Sequence, residues 1–173
     1  MKSIVKLIAF TCLVFVYLSI MGCDISDSQL PINPSNAPLR EDGVLDFLKP
    51  DGSIITSISI EIAETSENIK KGLMWRYSLD TTSGMLFVFQ NSGPQAFWMR
   101  NTPVPLDIIF ISENSCIKNI AESTRPMSDE TYNSKGPAKY VLEVRAGFSE
   151  RYGIKEGHCI RWQRHKKQHL NRL

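Results

Sequence analysis

The chain has 173 residues, 42% of them hydrophobic and 22% charged, and its 20 lysines and arginines nearly balance its 18 aspartates and glutamates. This is the composition of a packed globular protein, so it excludes intrinsically disordered and low-complexity chains. The length allows one ordinary domain, because a second full hydrophobic core would need more chain.

The first 22 residues have the layout of a bacterial export signal. Lys2 and Lys6 form a short basic start, and a largely apolar stretch follows over residues 7–20. That stretch is shorter than the roughly 20 apolar residues of a membrane-spanning helix. We therefore expect residues 1–22 to be a signal peptide that directs the chain out of the cytoplasm.

The apolar stretch ends in Ile20-Met21-Gly22-Cys23, which resembles a bacterial lipobox. The resemblance implies cleavage before Cys23 and acylation of that cysteine, so that the mature protein is anchored to a bacterial membrane on its periplasmic face. Several acyl chains on one cysteine hold a protein stably. Asp24 is similar to the signal that keeps some lipoproteins in the inner membrane. A plain N-terminal anchor helix or the signal of a soluble secreted protein is the alternative.

Residues 23–43 are predicted to be a flexible tether that precedes the folded domain. Three prolines occur there among serine, asparagine and aspartate, and the segment has too few apolar side chains to pack. The folded domain is expected over residues 44–163.

A basic tail over residues 164–173 completes the predicted organisation. From residue 158 onward the chain carries five lysines and arginines and no aspartate or glutamate. Such a tail either lies on anionic lipid beside the anchor or is a solvated, frayed terminus. Nucleic acid is not an expected partner of an exported protein.

The domain is predicted to begin with a strand and a short helix. Over residues 53–63, four isoleucines share one parity, which is typical of a half-buried strand. Thr65 is a typical helix N-cap and Gly72 a typical C-cap. Glu67 in the first turn and two lysines in the last turn complement the helix dipole, so one short helix is predicted between the caps.

Six further apolar segments, separated by turn residues, are predicted to be strands: residues 85–89, 96–99, 104–112, 116–122, 140–146 and 158–162. Glu113-Asn114-Ser115 favours a tight hairpin between two of them. Many short strands with one helix favour a mainly β fold, a compact antiparallel β-sandwich or barrel, over a parallel doubly wound sheet.

Several sequence blocks resemble the domain-of-unknown-function 192 (DUF192) family. The blocks are KGLMWR at residues 71–76, GMLFVF at 84–89, FWMRNT at 97–102, PLDIIF at 105–110, YVLEV at 140–144 and GIKEG at 153–157. The resemblance covers roughly residues 59–162 and implies a single β-rich, jelly-roll-like domain of a kind often exported in bacteria. It implies no activity, because none is assigned to the family.

Besides Cys23, the predicted mature chain contains Cys116 and Cys159. Both lie on predicted strands, and in an oxidising compartment a disulfide between them would stabilise the fold by roughly 2–5 kcal/mol. Two separate buried thiols are the alternative. A nucleophilic Cys159 is not supported, because its neighbour His158 would point to the opposite face of the strand.

The polar residues of the family blocks are the candidates for function. Asp107 lies in an otherwise apolar predicted strand, where an unpaired carboxylate would be very costly. Arg76, Arg100 and Arg145 are the cations available to it, and Arg76 is favoured because it lies in a family block. Alternatively, Asp107 accepts hydrogen bonds from backbone N–H groups and fixes a turn.

A small ligand-binding cleft is the functional interpretation of these blocks. Trp98 would form its floor, and Met74 and Met99 its walls. Its polar groups would be Arg76, Asn101, Thr102, Asp107 and Glu143. Apolar walls with a few convergent polar groups are typical of a small-molecule site.

We favour a non-catalytic domain that binds a small molecule or an envelope protein. The first alternative is a hydrolase-like enzyme that uses Asp107 and Glu143 as a general acid and base. The second is a structural or assembly factor with no pocket. No cofactor is predicted, and no metal site either, because the sequence lacks the usual zinc-ligand spacings and its three histidines lie at the C-terminal end. The oligomeric state is left open.

Overall fold

The structure, a computed structural model, describes residues 38–166. The predicted signal peptide, the predicted lipidation site Cys23, most of the predicted tether and the end of the predicted basic tail lie outside the described residues. Within residues 38–166, no helix has the length and hydropathy needed to cross a membrane.

The described residues form nine strands and two short helices. The strands are β1 Gly43–Leu48, β2 Ile54–Ala63, β3 Ser83–Gly93, β4 Ala96–Trp98, β5 Leu106–Ile111, β6 Ile117–Ala121, β7 Thr131–Asn133, β8 Ala138–Arg145 and β9 Cys159–Arg164. The helices are α1 Ser66–Lys71 and α2 Phe148–Tyr152.

Seven strands form one sheet in the order β6-β5-β8-β3-β2-β1-β9, while β4 and β7 form a separate two-stranded sheet. Neighbouring strands are antiparallel except β2 and β3, which run parallel and are connected through α1. A parallel pair requires such a crossover. The predicted mainly β fold is confirmed. The parallel pair and the second helix are features that the sequence did not predict.

The two edge strands of the large sheet meet at a seam. Cys116, just before β6, and Cys159, the first residue of β9, form an isolated bridge and are joined by a disulfide with an S–S distance of 2.03 Å. Beside it, the Ile160 N–H donates a hydrogen bond to the Ser115 carbonyl at 2.7 Å. The sheet therefore curls until its edges touch, without the continuous ladder of a closed barrel.

Alternate side chains of the sheet supply two hydrophobic cores. The inner core lies on the concave face, since both edge strands contribute to it through Ile117 and Ile160. The outer core lies on the opposite face and contains Leu73, Phe87 and Met99 from the family blocks. The outer core lies under α1 and the small β4–β7 sheet, since Ile69, Phe97 and Tyr132 pack against it. The family blocks contribute to both cores.

The predicted helix forms as α1, and its two caps have the expected roles. The Thr65 hydroxyl accepts a hydrogen bond from the Asn68 N–H at 3.2 Å. At the other end, the Gly72 N–H donates to the Asn68 carbonyl at 2.9 Å, with φ of 47° at the glycine. A positive φ costs glycine little, so the chain can turn sharply there towards the outer core.

Candidate functional site

Asp107 is buried, and backbone N–H groups occupy its carboxylate. Oδ1 accepts hydrogen bonds from Ser123 at 2.9 Å and Gly147 at 3.3 Å, and Oδ2 accepts one from Ser149 at 2.9 Å. Two of these donors lie at the start of α2, so the carboxylate fixes that helix to β5. The backbone interpretation of Asp107 is therefore correct, and the prediction that Arg76 is its partner is wrong.

Arg76 instead contacts Glu61, a buried carboxylate on β2. Nη2 of Arg76 is 3.4 Å from one Glu61 oxygen, and Nη1 of Arg40 is 2.6 Å from the other. Sequence analysis missed Glu61 because the isoleucines of β2 were expected to face the core and the residues between them to face solvent. In the structure, the side of β2 that carries Glu61 faces the outer core. The ion pair ties the turn that follows α1 to the sheet.

Asp107 and Glu143 lie on opposite faces of the sheet. In the β5–β8 ladder, Asp107 is opposite Val144, and Ile108 is opposite Glu143. Registered partners share a face, whereas successive residues alternate between faces, so the sheet separates the two carboxyl groups. They cannot act as an acid–base pair on one substrate, and the hydrolase-like prediction loses its basis.

Glu143 faces the outer core, and its carboxyl group is buried. Burial raises the pKa of Glu143 from 4.5 to about 8, because desolvation disfavours the charged form. Its Oε2 has no hydrogen-bond partner within residues 38–166. At neutral pH the group is therefore mainly a neutral carboxylic acid, with an unused capacity for hydrogen bonding.

A small cleft opens above Glu143, between the end of α1 and the end of β4. Its lining includes Leu73, Met74, Phe87, Phe97, Trp98 and Thr102, and we call it the α1–β4 cleft. Its volume of about 30 Å³ is enough for a group of about the size of one water molecule. Gly72 helps to keep it open, since a Cβ there would lie 3.4 Å from the Phe87 ring and 3.9 Å from Oε2 of Glu143.

A wider groove of about 230 Å³ adjoins the cleft. It shares Ile69, Lys70, Phe97 and Trp98 with the cleft and continues along Phe89, Gln95 and Ala96. The two spaces together form a groove with several aromatic and aliphatic walls, Lys70 and Gln95 in the lining of its wide part, and a single buried carboxyl group at its narrow end. This shape suits an elongated ligand that has one polar head.

Four of the eight residues predicted to bind a ligand line the α1–β4 cleft: Met74, Trp98, Thr102 and Glu143. The other four lie outside its lining: Arg76, Met99, Asn101 and Asp107. Met99 is fully buried in the outer core, and the Asn101 carbonyl accepts a hydrogen bond from the turn after α1. Met99 and Asn101 therefore support the cleft without lining it, whereas Asp107 lies on the other face of the sheet.

Large apolar side chains are exposed around the turn that follows β4. Trp75 is 54% exposed, Trp98 is 42% exposed and Met127 is 59% exposed, and we call these three residues the rim. The Trp75 N–H donates to the Asn101 carbonyl at 2.7 Å, and the Met127 N–H to the Thr102 carbonyl at 3.1 Å. Trp75 and Met127 have φ of 65° and 55°, a conformation that bulky residues avoid. Exposure on strained backbone makes Trp75 and Met127 candidates for a role other than packing.

Arg100 stabilises the position of Trp98. Its guanidinium lies 3.9 Å from the centre of the indole ring and donates a hydrogen bond to Asp129 at 2.6 Å. The cation–π contact covers part of the exposed indole and restrains its orientation. Trp98 is therefore held in place at the mouth of the cleft.

A larger cavity, of about 450 Å³, lies near the two ends of the domain. Four of its charged lining residues pair with each other, Arg40 with Asp42 at 2.9 Å and Arg164 with Glu64. It contains none of the residues predicted to bind a ligand, so we place the candidate site at the α1–β4 cleft. Within the described part of the chain, no three histidine, cysteine or acidic side chains are grouped so as to hold a metal ion.

Sequence analysis missed several residues on which the site depends. Phe87 and Phe97 occur in the family blocks, but sequence alone does not show which face of a strand they occupy. Trp75 also lies in a block, and nothing in the sequence indicates its left-handed backbone. Met127 lies outside the blocks, in a loop that only the fold brings next to Thr102.

Comparison with known proteins agrees with the resemblance. The sequence model of the DUF192 family, described as uncharacterized ACR, matches residues 47–162. A solved protein of Sinorhizobium meliloti 1021, provisionally named a transcription regulator, is 30% identical with a TM-score of 0.68, over 73% of this chain and 97% of that one. A solved protein of unknown function from Novosphingobium aromaticivorans DSM 12444 is 35% identical with a TM-score of 0.65, over 69% of this chain and 84% of that one. No curated protein matches the sequence. Since the family match extends over more than half of the chain, this protein belongs to the DUF192 family.

Proposed function

We propose that this protein is an exported, lipid-anchored envelope protein whose DUF192 domain binds a small ligand or a partner at the α1–β4 cleft without catalysis. The anchor is proposed from the export-signal layout and the lipobox-like sequence that ends at Cys23. The Cys116–Cys159 disulfide supports export, because such bonds persist in oxidising compartments.

The rim is the observation that carries the proposal of binding. Holding a bulky residue in a left-handed conformation costs on the order of 1–3 kcal/mol, and such strain is concentrated at ligand clamps and other functional positions. Trp75 and Met127 have this conformation and are exposed, so neither is strained for the benefit of core packing. A ligand or partner that covers the rim would recover the apolar burial that the isolated domain lacks.

The chemistry of the site favours binding over catalysis. Asp107 is committed to backbone N–H groups, which leaves Glu143 as the single carboxyl group of the cleft lining. The presence of a cleft and groove counts against a structural factor with no pocket. The relative that is named a transcription regulator does not favour DNA as the ligand here, because within residues 38–166 Lys70 and Lys71 are the only basic residues in the cleft lining and two neighbouring lysines do not make a basic stripe.

Binding is tested with protein purified from a bacterial envelope fraction and examined by native mass spectrometry. The wild type should retain an additional bound species, and Trp98→Ala should lose it. Ile54→Ala is the matched control, because Ile54 is likewise a large exposed apolar residue, 54% exposed against 42% for Trp98, but lies outside the cleft lining and the rim. Equal retention by wild type and Trp98→Ala, or no bound species at all, would contradict the proposed site.

The anchor is tested by metabolic labelling with a palmitate analogue. The wild type should be labelled and recovered with membranes, and Cys23→Ala should be unlabelled. If the wild type stays unlabelled while a known lipoprotein in the same cells is labelled, the anchor proposal is wrong.

A further inference from the structure

We infer that the α1–β4 cleft receives the positively charged head of an alkylammonium group, which Glu143 binds, while the apolar stem of the ligand lies in the adjoining groove. This inference deepens the proposed binding function and rests on it. It names the chemical class of the ligand.

Glu143 is the first observation that supports an ammonium head. Its carboxyl group is buried in the cleft lining, and Oε2 has no hydrogen-bond partner within residues 38–166. A buried polar group without a partner is costly, so such a group is expected to meet one when the site is filled. An ammonium group supplies three N–H donors together with the charge that compensates a buried carboxylate.

The aromatic walls are the second observation. Phe87 and Phe97 line the cleft and pack edge to face, with ring centres 5.0 Å apart. The faces of aromatic rings attract cations, and this attraction is strongest where water is excluded. Aromatic walls are compatible with a cation, and a cation suits this site better than an anion, which would be placed beside a buried acid.

The dimensions of the site are the third observation. The cleft, at about 30 Å³, has room for a compact head, whereas the adjoining groove of about 230 Å³ is lined by Ile69, Phe89, Ala96, Phe97 and Trp98 together with the polar Lys70 and Gln95. An apolar stem in that groove gains from burial, and burial of each CH₂ group contributes about a factor of four in affinity. The combination favours a primary amine on an aliphatic stem over a small hydrophilic cation.

Several other charged groups lie near Glu143 and enter any pH dependence: Lys70 and Lys71 in the cleft lining, Glu61 on the same face of the sheet, and Arg76 and Arg100 on the flanking turns. Lys70 and Lys71 are exposed, so water and salt weaken their repulsion of a cation. Glu61 is paired with two arginines, and the Arg100 guanidinium lies over Trp98. Glu143 is thus the carboxyl group available to the ligand.

Binding of an ammonium group should release one proton below pH 8. The neutral Glu143 carboxyl loses its O–H proton to the buffer, and the resulting carboxylate accepts hydrogen bonds from the ammonium. Since burial raises the pKa of free Glu143 to about 8, affinity for the cation should rise about tenfold per pH unit up to that value and then level off. An alkylammonium with an ordinary pKa above 10 stays charged throughout this range.

The test uses isothermal titration calorimetry of the full-length protein with hexylamine, and with hexan-1-ol and hexanoate as probes of the same stem. Nα-acetyl-lysine methylamide is included because a lysine side chain of a partner protein carries the same head group. Glu143→Gln removes the carboxylate with little change in shape. Glu61→Gln is the matched control, since Glu61 is a buried glutamate of the same sheet face that lies outside the cleft lining.

We expect hexylamine to bind at least tenfold more tightly than hexan-1-ol at pH 8. At pH 6.5, the binding enthalpy of hexylamine should vary with the ionisation enthalpy of the buffer by the amount expected for the release of one proton. Glu143→Gln should reduce hexylamine affinity at least tenfold and leave hexan-1-ol unaffected, while Glu61→Gln should change neither. A higher affinity for the lysine derivative than for hexylamine would identify a lysine side chain of a partner protein as the source of the ammonium group. A higher affinity for hexylamine would identify a free amine as that source.

Equal affinity for hexylamine and hexan-1-ol, or hexylamine binding that is insensitive to Glu143→Gln, would overturn the ammonium head. In that case, if hexan-1-ol binds to the wild type and its binding is lost in Trp98→Ala, the proposed binding site would still be supported. Failure of every probe to bind, together with the absence of a retained species in native mass spectrometry, would overturn both.

Discussion

Replacement of Glu143 by glutamine should remove a specific pH dependence from the stability of the domain. The folded carboxyl group has a pKa of about 8 against an ordinary value of 4.5, so between these values the folded state holds a proton that the unfolded state has released. The stability that the neutral group contributes is complete below pH 4.5 and is lost as the pH rises through 8. At about 1.4 kcal/mol per pH unit, the whole interval corresponds to on the order of 5 kcal/mol, of which about 2 kcal/mol falls between pH 6 and 8.

The measurement is the free energy of unfolding of the wild type and of Glu143→Gln by urea denaturation, from about pH 5 to about pH 9 with the disulfide oxidised. The difference between the two proteins isolates Glu143, because other groups, such as His158 with its pKa lowered by burial, contribute to both curves. As the pH rises from 6 to 8, the free energy of unfolding of the variant should increase by about 2 kcal/mol relative to that of the wild type. A difference that stays constant over the whole range would refute the argument that Glu143 is buried without a charge partner.

Three further changes test the other structural assignments. Asp107→Asn should lower the free energy of unfolding by about 2–3 kcal/mol, because a neutral amide replaces the charged carboxylate that accepts three backbone hydrogen bonds. A urea midpoint equal to that of the wild type would contradict this role. The double replacement Cys116→Ser with Cys159→Ser opens a cross-link with a sequence separation of 43 and should cost about 4 kcal/mol, which denaturation with and without reductant can check. Trp75→Asn should leave stability unchanged or raise it by up to about 1 kcal/mol, because asparagine tolerates a positive φ better than tryptophan; a large loss of thermal stability would instead make Trp75 a packing residue.

The sequence predicted most of the strands because their apolar segments are bounded by clear turn residues. It predicted α1 because Thr65 and Gly72 cap that helix through local contacts. It did not predict α2, a helix of five residues whose N-cap Gly147 has no side chain to cap with. That helix is held by Asp107 instead, and a contact between residues about 40 positions apart leaves no local pattern. The three-residue strand β7 is likewise too short to show a period.

The candidate site was only partly predictable, because strand register decides which face a side chain occupies. Asp107 and Glu143 each interrupt an apolar strand and look alike in sequence, yet the β5–β8 register places them on opposite faces. Trp98 and Met99 are adjacent, and one is exposed at the rim while the other is fully buried. The family blocks identified the correct region of the chain, but only the assembled sheet separates residues that line the cleft from residues that support it.

The seam between β6 and β9 bears on how this chain avoids association with itself. An open sheet has two edges whose free N–H and carbonyl groups can pair with strands of another molecule, and proteins normally protect such edges. Here the edges are brought against each other, and one covalent bond at Cys116 and Cys159 secures the contact. Before that bond forms, only non-covalent contacts such as the hydrogen bond between Ile160 and Ser115 hold the two edges together, so the edges separate more easily and become open to intermolecular pairing. The interval between synthesis and oxidation should therefore be the time at which the protein is most prone to aggregate, and a host that delays thiol oxidation should accumulate it in insoluble form.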